Sequence, residues 1–91
     1  MQTGFIGLGN VGGKLAGSLL RNGVPLRVHD LDARLVAAFV ARGAQDGGAP
    51  GAMMRDCDVV ITCLPSPEAS AAVMAEMLPR MEPGKLWMEM S

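Results

Sequence analysis

The chain has 91 residues, 49% of them hydrophobic and 19% charged, with eight Lys and Arg against nine Asp and Glu for a formal net charge of −1. That length excludes two independent domains, since domains cluster at about 100 to 150 residues, and the apolar share excludes the polar composition of a disordered chain. Without a basic surplus, neither nucleic acid nor an anionic membrane surface is an expected partner. No run of about 18 apolar residues and no basic-then-apolar leader occurs, so no membrane span or secretory signal is predicted and the expected compartment is the cytoplasm. Cys57 and Cys63 are the two cysteines. They are too few for a disulfide scaffold and have no His or Cys neighbours at zinc spacing, so both are read as free thiols and no metal site is expected.

In chain order, Gly4, Phe5 and Ile6 followed by Gly7 read as a short buried strand bounded by turn residues. Val11, Leu15, Leu19 and Leu20 then recur at helical spacing, with Arg21 suited to the negative helix end and Gly23 to a left-handed stop. Leu26, Arg27, Val28 and His29 form a second strand that ends at Asp30. A second helix follows, with Asp30 or Asp32 as N-cap, Leu35, Val36, Phe39 and Val40 on its apolar stripe, and Gly43 as its stop. Residues 44–52 read as a loop, with a brief strand at 44–46 and a helical turn near 52–55. The β-branched run at residues 58–63 predicts a strand buried on both faces. Ser66, Pro67 and Glu68 supply an N-cap hydroxyl, a proline at the first helical position and an early carboxylate, in the order a helix start favours. After Pro83 and Gly84, Leu86, Trp87 and Met88 read as a final strand. This alternation predicts an α/β fold, a doubly wound, mostly parallel sheet with helices on both faces.

Chemistry concentrates between the first strand and the first helix. Gly7, Gly9 and Gly12 form G-x-G-x-x-G, where the first glycine permits the tight turn, the second lets backbone approach a pyrophosphate, and the third allows close helix packing. The anion then rests on free N–H groups at the positive end of the helix dipole. Asp30, eighteen positions after Gly12, lies where an acidic side chain accepts hydrogen bonds from both hydroxyls of an adenosine ribose. It selects NAD over NADP, because a 2′-phosphate about 4 Å from an ionised carboxylate is repelled by roughly 1 to 4 kcal/mol per charge pair. Leu31 follows it, so the arginine that would clamp a 2′-phosphate is missing there, and Arg34, one helical turn on, is the cation that bears on this reading. Leu64 and Pro65, after the 58–63 strand, are expected to wall the cofactor groove at the topological switch point, with Leu8, Asn10 and Val11 adding backbone contacts. Cys63 is read as a buried thiol, His29 as a structural or surface residue on the face opposite Asp30, Lys14 and Lys85 as solvated charges, and the methionines as adaptable filler.

The run Gly4-Phe5-Ile6-Gly7-Leu8-Gly9-Asn10-Val11-Gly12, with Leu19-Leu20-Arg21-Asn22-Gly23, resembles the amino-terminal fingerprint of the β-hydroxyacid dehydrogenases. These include 3-hydroxyisobutyrate, tartronate semialdehyde and 6-phosphogluconate dehydrogenases. Ile61-Thr62-Cys63-Leu64-Pro65-Ser66-Pro67 and the segment from Pro83-Gly84 through Trp87-Met88-Glu89-Met90-Ser91 are similar to later parts of the same family. Val11 stands where methionine is usual, and Ser18 where asparagine is common. The resemblance implies a Rossmann-type NAD-binding portion covering residues 1–91, ending before the second half of the sheet is complete. It also implies reversible hydride transfer between nicotinamide and a small 3-hydroxy acid in the whole protein. The helical substrate domain, the catalytic lysine and the late cofactor motif are then expected outside this chain, which holds no catalytic residue of its own. Ser91 is expected on the nicotinamide side. Two other readings compete: a non-catalytic dinucleotide-sensing module, and an NADP-dependent imine reductase, against which Asp30 followed by Leu31 argues. The final strand is expected to be an apolar edge that promotes self-association.

Overall fold

A computed structural model describes residues 1–90. Its strands are β1 (Thr3–Ile6), β2 (Leu26–His29), β3 (Gln45–Asp46), β4 (Val59–Thr62) and β5 (Leu86–Glu89), and its helices α1 (Asn10–Arg21), α2 (Ala33–Ala41), α3 (Pro50–Asp56) and α4 (Pro67–Met77), with a 3-10 turn at Leu78–Arg80. The strands pair in parallel in the order β3-β2-β1-β4-β5. Phe5 lies between Val28 and Ile61, so β1 is central. After β3 the chain returns past β1 to build the other half, which puts the switch point between the carboxyl ends of β1 and β4.

Local chemistry sets the element ends. Ser66 Oγ accepts the N–H of Ala69 at 3.1 Å and Pro67 opens α4, while Asp32, and not Asp30, caps α2 by accepting the N–H of Arg34 at 3.0 Å. Gly23 and Gly43 take the left-handed conformation that ends their helices, at φ +83° and +107°. Residues 44–52 hold more structure than a loop reading allows. Pro50 is the first residue of α3 rather than part of a turn, since its ring presets helical φ and its missing N–H is not needed there.

The sheet divides the core. On one face Phe5, Leu26 and Val28 pack with Ala16 of α1 and with Val36 and Phe39 of α2. On the other, Ile6 and Val60 pack with Met53, Met54, Cys57 and Met77 from α3 and α4. Three of the methionines therefore fill the core, while Met74, Met81, Met88 and Met90 stay exposed. Two expectations change. The buried face of α1 is made of Gly12, Ala16 and Gly17, and Val11 and Leu15 are exposed, because close approach to the sheet leaves room only for small residues. In β4, Val60 and Thr62 are buried while Val59 and Ile61 are only half-buried, so one face is fully covered and the other is not.

Lys85 is not a solvated charge. Its Nζ donates to the carbonyls of Cys57 at 2.8 Å and Arg55 at 3.0 Å, at the negative end of α3, and so ties the start of β5 to the helix. Lys85→Met, which keeps the aliphatic stem, is expected to cost about 1 kcal/mol. A thermal melt reads this as a fall of roughly 4 to 8 °C; an unchanged melt shows those carbonyls equally well served by water.

Candidate dinucleotide site

The turn after β1 is threaded between the ends of its two neighbours. The N–H of Gly7 donates to the His29 carbonyl at 3.0 Å and the N–H of Cys63 to the Ile6 carbonyl at 2.9 Å. Gly7 has φ +100°, and a Cβ on it would collide with the Cys63 carbonyl oxygen. A Cβ on Gly12 would collide with the Gly7 carbonyl oxygen and stand 3.2 Å from the Cys63 Cβ. Both glycines are thus dictated by the protein's own packing.

Gly9 is different. It has ordinary extended geometry, φ −70°, and a Cβ there would meet nothing within 4 Å. Nothing inside the protein requires glycine at this exposed position. Gly9 is the N-cap of α1 and offers no side-chain hydrogen bond, and the first turn carries no acidic residue. The opening N–H groups of α1 therefore have no intrahelical acceptor and no competing carboxylate. Open space over a bare helix N-terminus suits an anion brought close to backbone, as in a pyrophosphate.

Asp30 is held from two sides. Its Oδ2 accepts the N–H of Leu8 at 2.7 Å and its Oδ1 accepts the N–H of Asp32 at 2.8 Å. The half-buried carboxylate thereby links the glycine turn to the start of α2. Each oxygen retains a further acceptor site, since an ionised carboxylate offers about four.

These features surround one cavity of about 740 Å³. Gly7, Gly9, Asn10, Val11, Gly12, Asp30, Leu64 and Pro65 all line it. Leu8 does not line it: the side chain is buried and its N–H is given to Asp30. Ser91 lies outside the described residues. His29 lines the same cavity as Asp30. The expected separation of the two residues onto opposite faces does not keep His29 out, because both stand at the carboxyl end of β2, where the cavity opens. Leu31, Asp32 and Leu35 extend the wall at the β2 end, and Ala69, Ala72, Val73 and Glu76 of α4 extend it beyond Pro65. The strand-end rule that singled out Leu64 and Pro65 points to the first group; only the packing of α4 reveals the second.

Cys63 is half-buried on the cavity wall, whereas Cys57 is fully buried and burial pushes its thiol up. Iodoacetamide is therefore expected to modify Cys63 and leave Cys57 intact until the fold is lost, as read by peptide mass spectrometry; equal labelling of the native chain would contradict this packing. Among the described residues no cluster of His, Cys, Asp and Glu is arranged for a metal, and no helix is long and apolar enough to cross a membrane.

Residues 2–91 match the family described as the NAD binding domain of 6-phosphogluconate dehydrogenase. The chain belongs to this family. Over 65 residues, or 71% of its length, it is 40% identical to a probable 3-hydroxyisobutyrate dehydrogenase of Arabidopsis thaliana, covering 19% of that protein. Over 97% of its length the fold is similar to that of the Mycobacterium tuberculosis 3-hydroxyisobutyrate dehydrogenase structure with L-serine, at 29% identity and a TM-score of 0.83, covering 30% of that molecule. A Streptomyces aurantiacus imine reductase matches the whole chain at 25% identity and a TM-score of 0.88, with 32% of its own length covered. The chain thus spans about a fifth of the curated relative and about a third of each solved one. The family is one of oxidoreductases with a Rossmann-like parallel sheet, and membership gives this chain an NAD(P)-binding domain.

Proposed function

We propose that this chain binds NAD in the cavity described above and forms the cofactor-holding part of an oxidoreductase acting on a small 3-hydroxy acid. The observation that carries the reading is the Asp30 carboxylate, fixed beside the glycine turn by Leu8 and Asp32 and followed by Leu31 instead of an arginine. In this reading Gly7, Gly9 and Gly12, with the backbone of Asn10 and Val11, take the pyrophosphate, while the Leu8 N–H orients Asp30. Asp30 takes the ribose hydroxyls, and Leu64 and Pro65 line the groove. Bound there, the nicotinamide supplies the hydride chemistry; the chain's residues bind and orient it.

The lysine that the family resemblance calls for is not found in this site. The two lysines of the sequence are Lys14 and Lys85, neither lines the cavity, and the Lys85 ammonium is spent on carbonyls. The chain by itself is therefore expected to bind cofactor without turning over a hydroxy acid. An NADP-dependent imine reductase is the second reading, favoured by the structural likeness to the Streptomyces enzyme and opposed by the negative charge of Asp30. Separate titrations with NADH and NADPH, followed by nicotinamide fluorescence, decide between them. NADH is expected to bind at least about tenfold more tightly, the low end of the repulsion between Asp30 and a 2′-phosphate; equal or tighter NADPH binding would overturn the assignment to NAD.

A further inference from the structure

The β2–α2 turn carries a second carboxylate. Asp32 lines the same cavity as Asp30, and its oxygens are turned onto Arg34. Oδ1 accepts the backbone N–H of Arg34 at 3.0 Å and its Nε at 3.2 Å, while Oδ2 meets a terminal guanidinium nitrogen at 3.1 Å. The guanidinium beside Asp32 holds its carboxyl below the usual carboxylate range, so it stays ionised at neutral pH. Arg34, with a side chain 91% exposed, does not line the cavity. It is nevertheless the first cation after the ribose position given to Asp30, and its planar fork is the geometry that grips phosphate.

We propose that Asp32 is a specificity-determining residue that sets this cavity against a 2′-phosphate, both by its own charge and by engaging Arg34 in a fork outside the cavity wall. The proposal rests on the reading of the cavity as a dinucleotide site and adds a residue that the glycine-and-Asp30 pattern does not contain. Asp30 alone repels a 2′-phosphate; Asp32 adds a second carboxylate to the same wall and keeps the nearby guanidinium of Arg34 engaged.

Asp32 also caps α2, so the test must keep the cap and remove the charge. Asn and Ser both serve as N-caps about as well as Asp. Wild type, Asp32→Asn, Asp32→Ser and the double variant Asp32→Asn with Arg34→Ala are titrated separately with NADH and NADPH. Circular dichroism and a thermal melt confirm the fold of each. The ratio of NADPH to NADH affinity is expected to move about tenfold toward NADPH in either single variant, the effect of removing about one like charge near the phosphate. The double variant is expected to return part of that gain, because the released Arg34 supplies it. An unchanged ratio in folded Asn and Ser variants, with NADH still bound by wild type, would show Asp32 to be a helix cap only and overturn the proposal while leaving the NAD site standing. A gain fully kept in the double variant would remove Arg34 from the account. If wild type binds neither cofactor, both this proposal and the reading beneath it fail.

Discussion

Asp30→Ala is expected to weaken NADH binding by about 30- to 100-fold. Hydrogen bonds to a charged group contribute about 1.5 to 3 kcal/mol each. Two ribose hydroxyls would donate to this carboxylate, and water recovers part of the loss, so a net change near 2 to 3 kcal/mol is reasonable at 1.4 kcal/mol per tenfold. The substitution also strips acceptors from the N–H groups of Leu8 and Asp32. The glycine turn is then no longer tied to α2, and stability falls by about 1 kcal/mol besides. Asp30→Asn separates the two effects. It keeps one acceptor for the turn but loses the charge, and an intermediate affinity with nearly native stability is expected from calorimetric titration and thermal melts. Undiminished NADH binding by a folded Asp30→Ala variant would remove the ribose role from this residue.

The second large effect comes from contrasting two glycines in one motif. Gly7→Ala must place a methyl group against the Cys63 carbonyl at φ +100°. A strained φ alone costs about 1 to 3 kcal/mol, and with the backbone collision added the loss is expected near 3 kcal/mol or more, a fall in Tm on the order of 10 to 20 °C. In Gly9→Ser the new Cβ meets nothing within 4 Å and needs no unusual backbone angle. Serine is also a better N-cap than glycine, so the melt is expected to hold or rise by a few tenths of a kcal/mol. NADH affinity should nevertheless drop by at least about tenfold, because the new hydroxyl competes for the α1 N–H groups and its Cβ fills the approach to them. If Gly9→Ser bound NADH like wild type, the helix N-terminus would not be where the pyrophosphate rests. A loss of stability matching that of Gly7→Ala would instead make Gly9 a packing residue.

Much of this was legible without coordinates, for identifiable reasons. The short apolar run at Gly4, Phe5 and Ile6 and the β-branched run of Val59, Val60, Ile61 and Thr62 announce buried strands, and Ser66-Pro67-Glu68 announces a helix start, because these signals are local. The glycine spacing is local as well, and the three glycines do meet at the end of β1. What escaped depends on contacts distant in sequence. Asp30 ties to Leu8 only because β1 and β2 are paired in register, Ile6 opposite His29. The reason for Gly7 is a carbonyl 56 positions away at Cys63. Lys85 finds its acceptors on α3 through the β4–β5 pairing. The reading of α1 erred in a similar way: large apolar residues draw the eye at Val11 and Leu15, while the packed face is the one where Gly12, Ala16 and Gly17 allow close approach. Capping of α2 by Asp32 instead of Asp30 follows from where β2 ends, which the sequence leaves open by two residues.

The central claim is a location: a dinucleotide across the turn between β1 and α1, with its ribose at the end of β2. The most direct test is an NADH titration of the isotope-labelled chain followed by two-dimensional amide NMR. The account predicts that shifts concentrate at residues 7–12, Asp30, Leu31 and Leu64, and that the amides of α3 and β5 move little. Shifts centred elsewhere, or none at millimolar NADH in a chain whose spectrum is dispersed and folded, would contradict it.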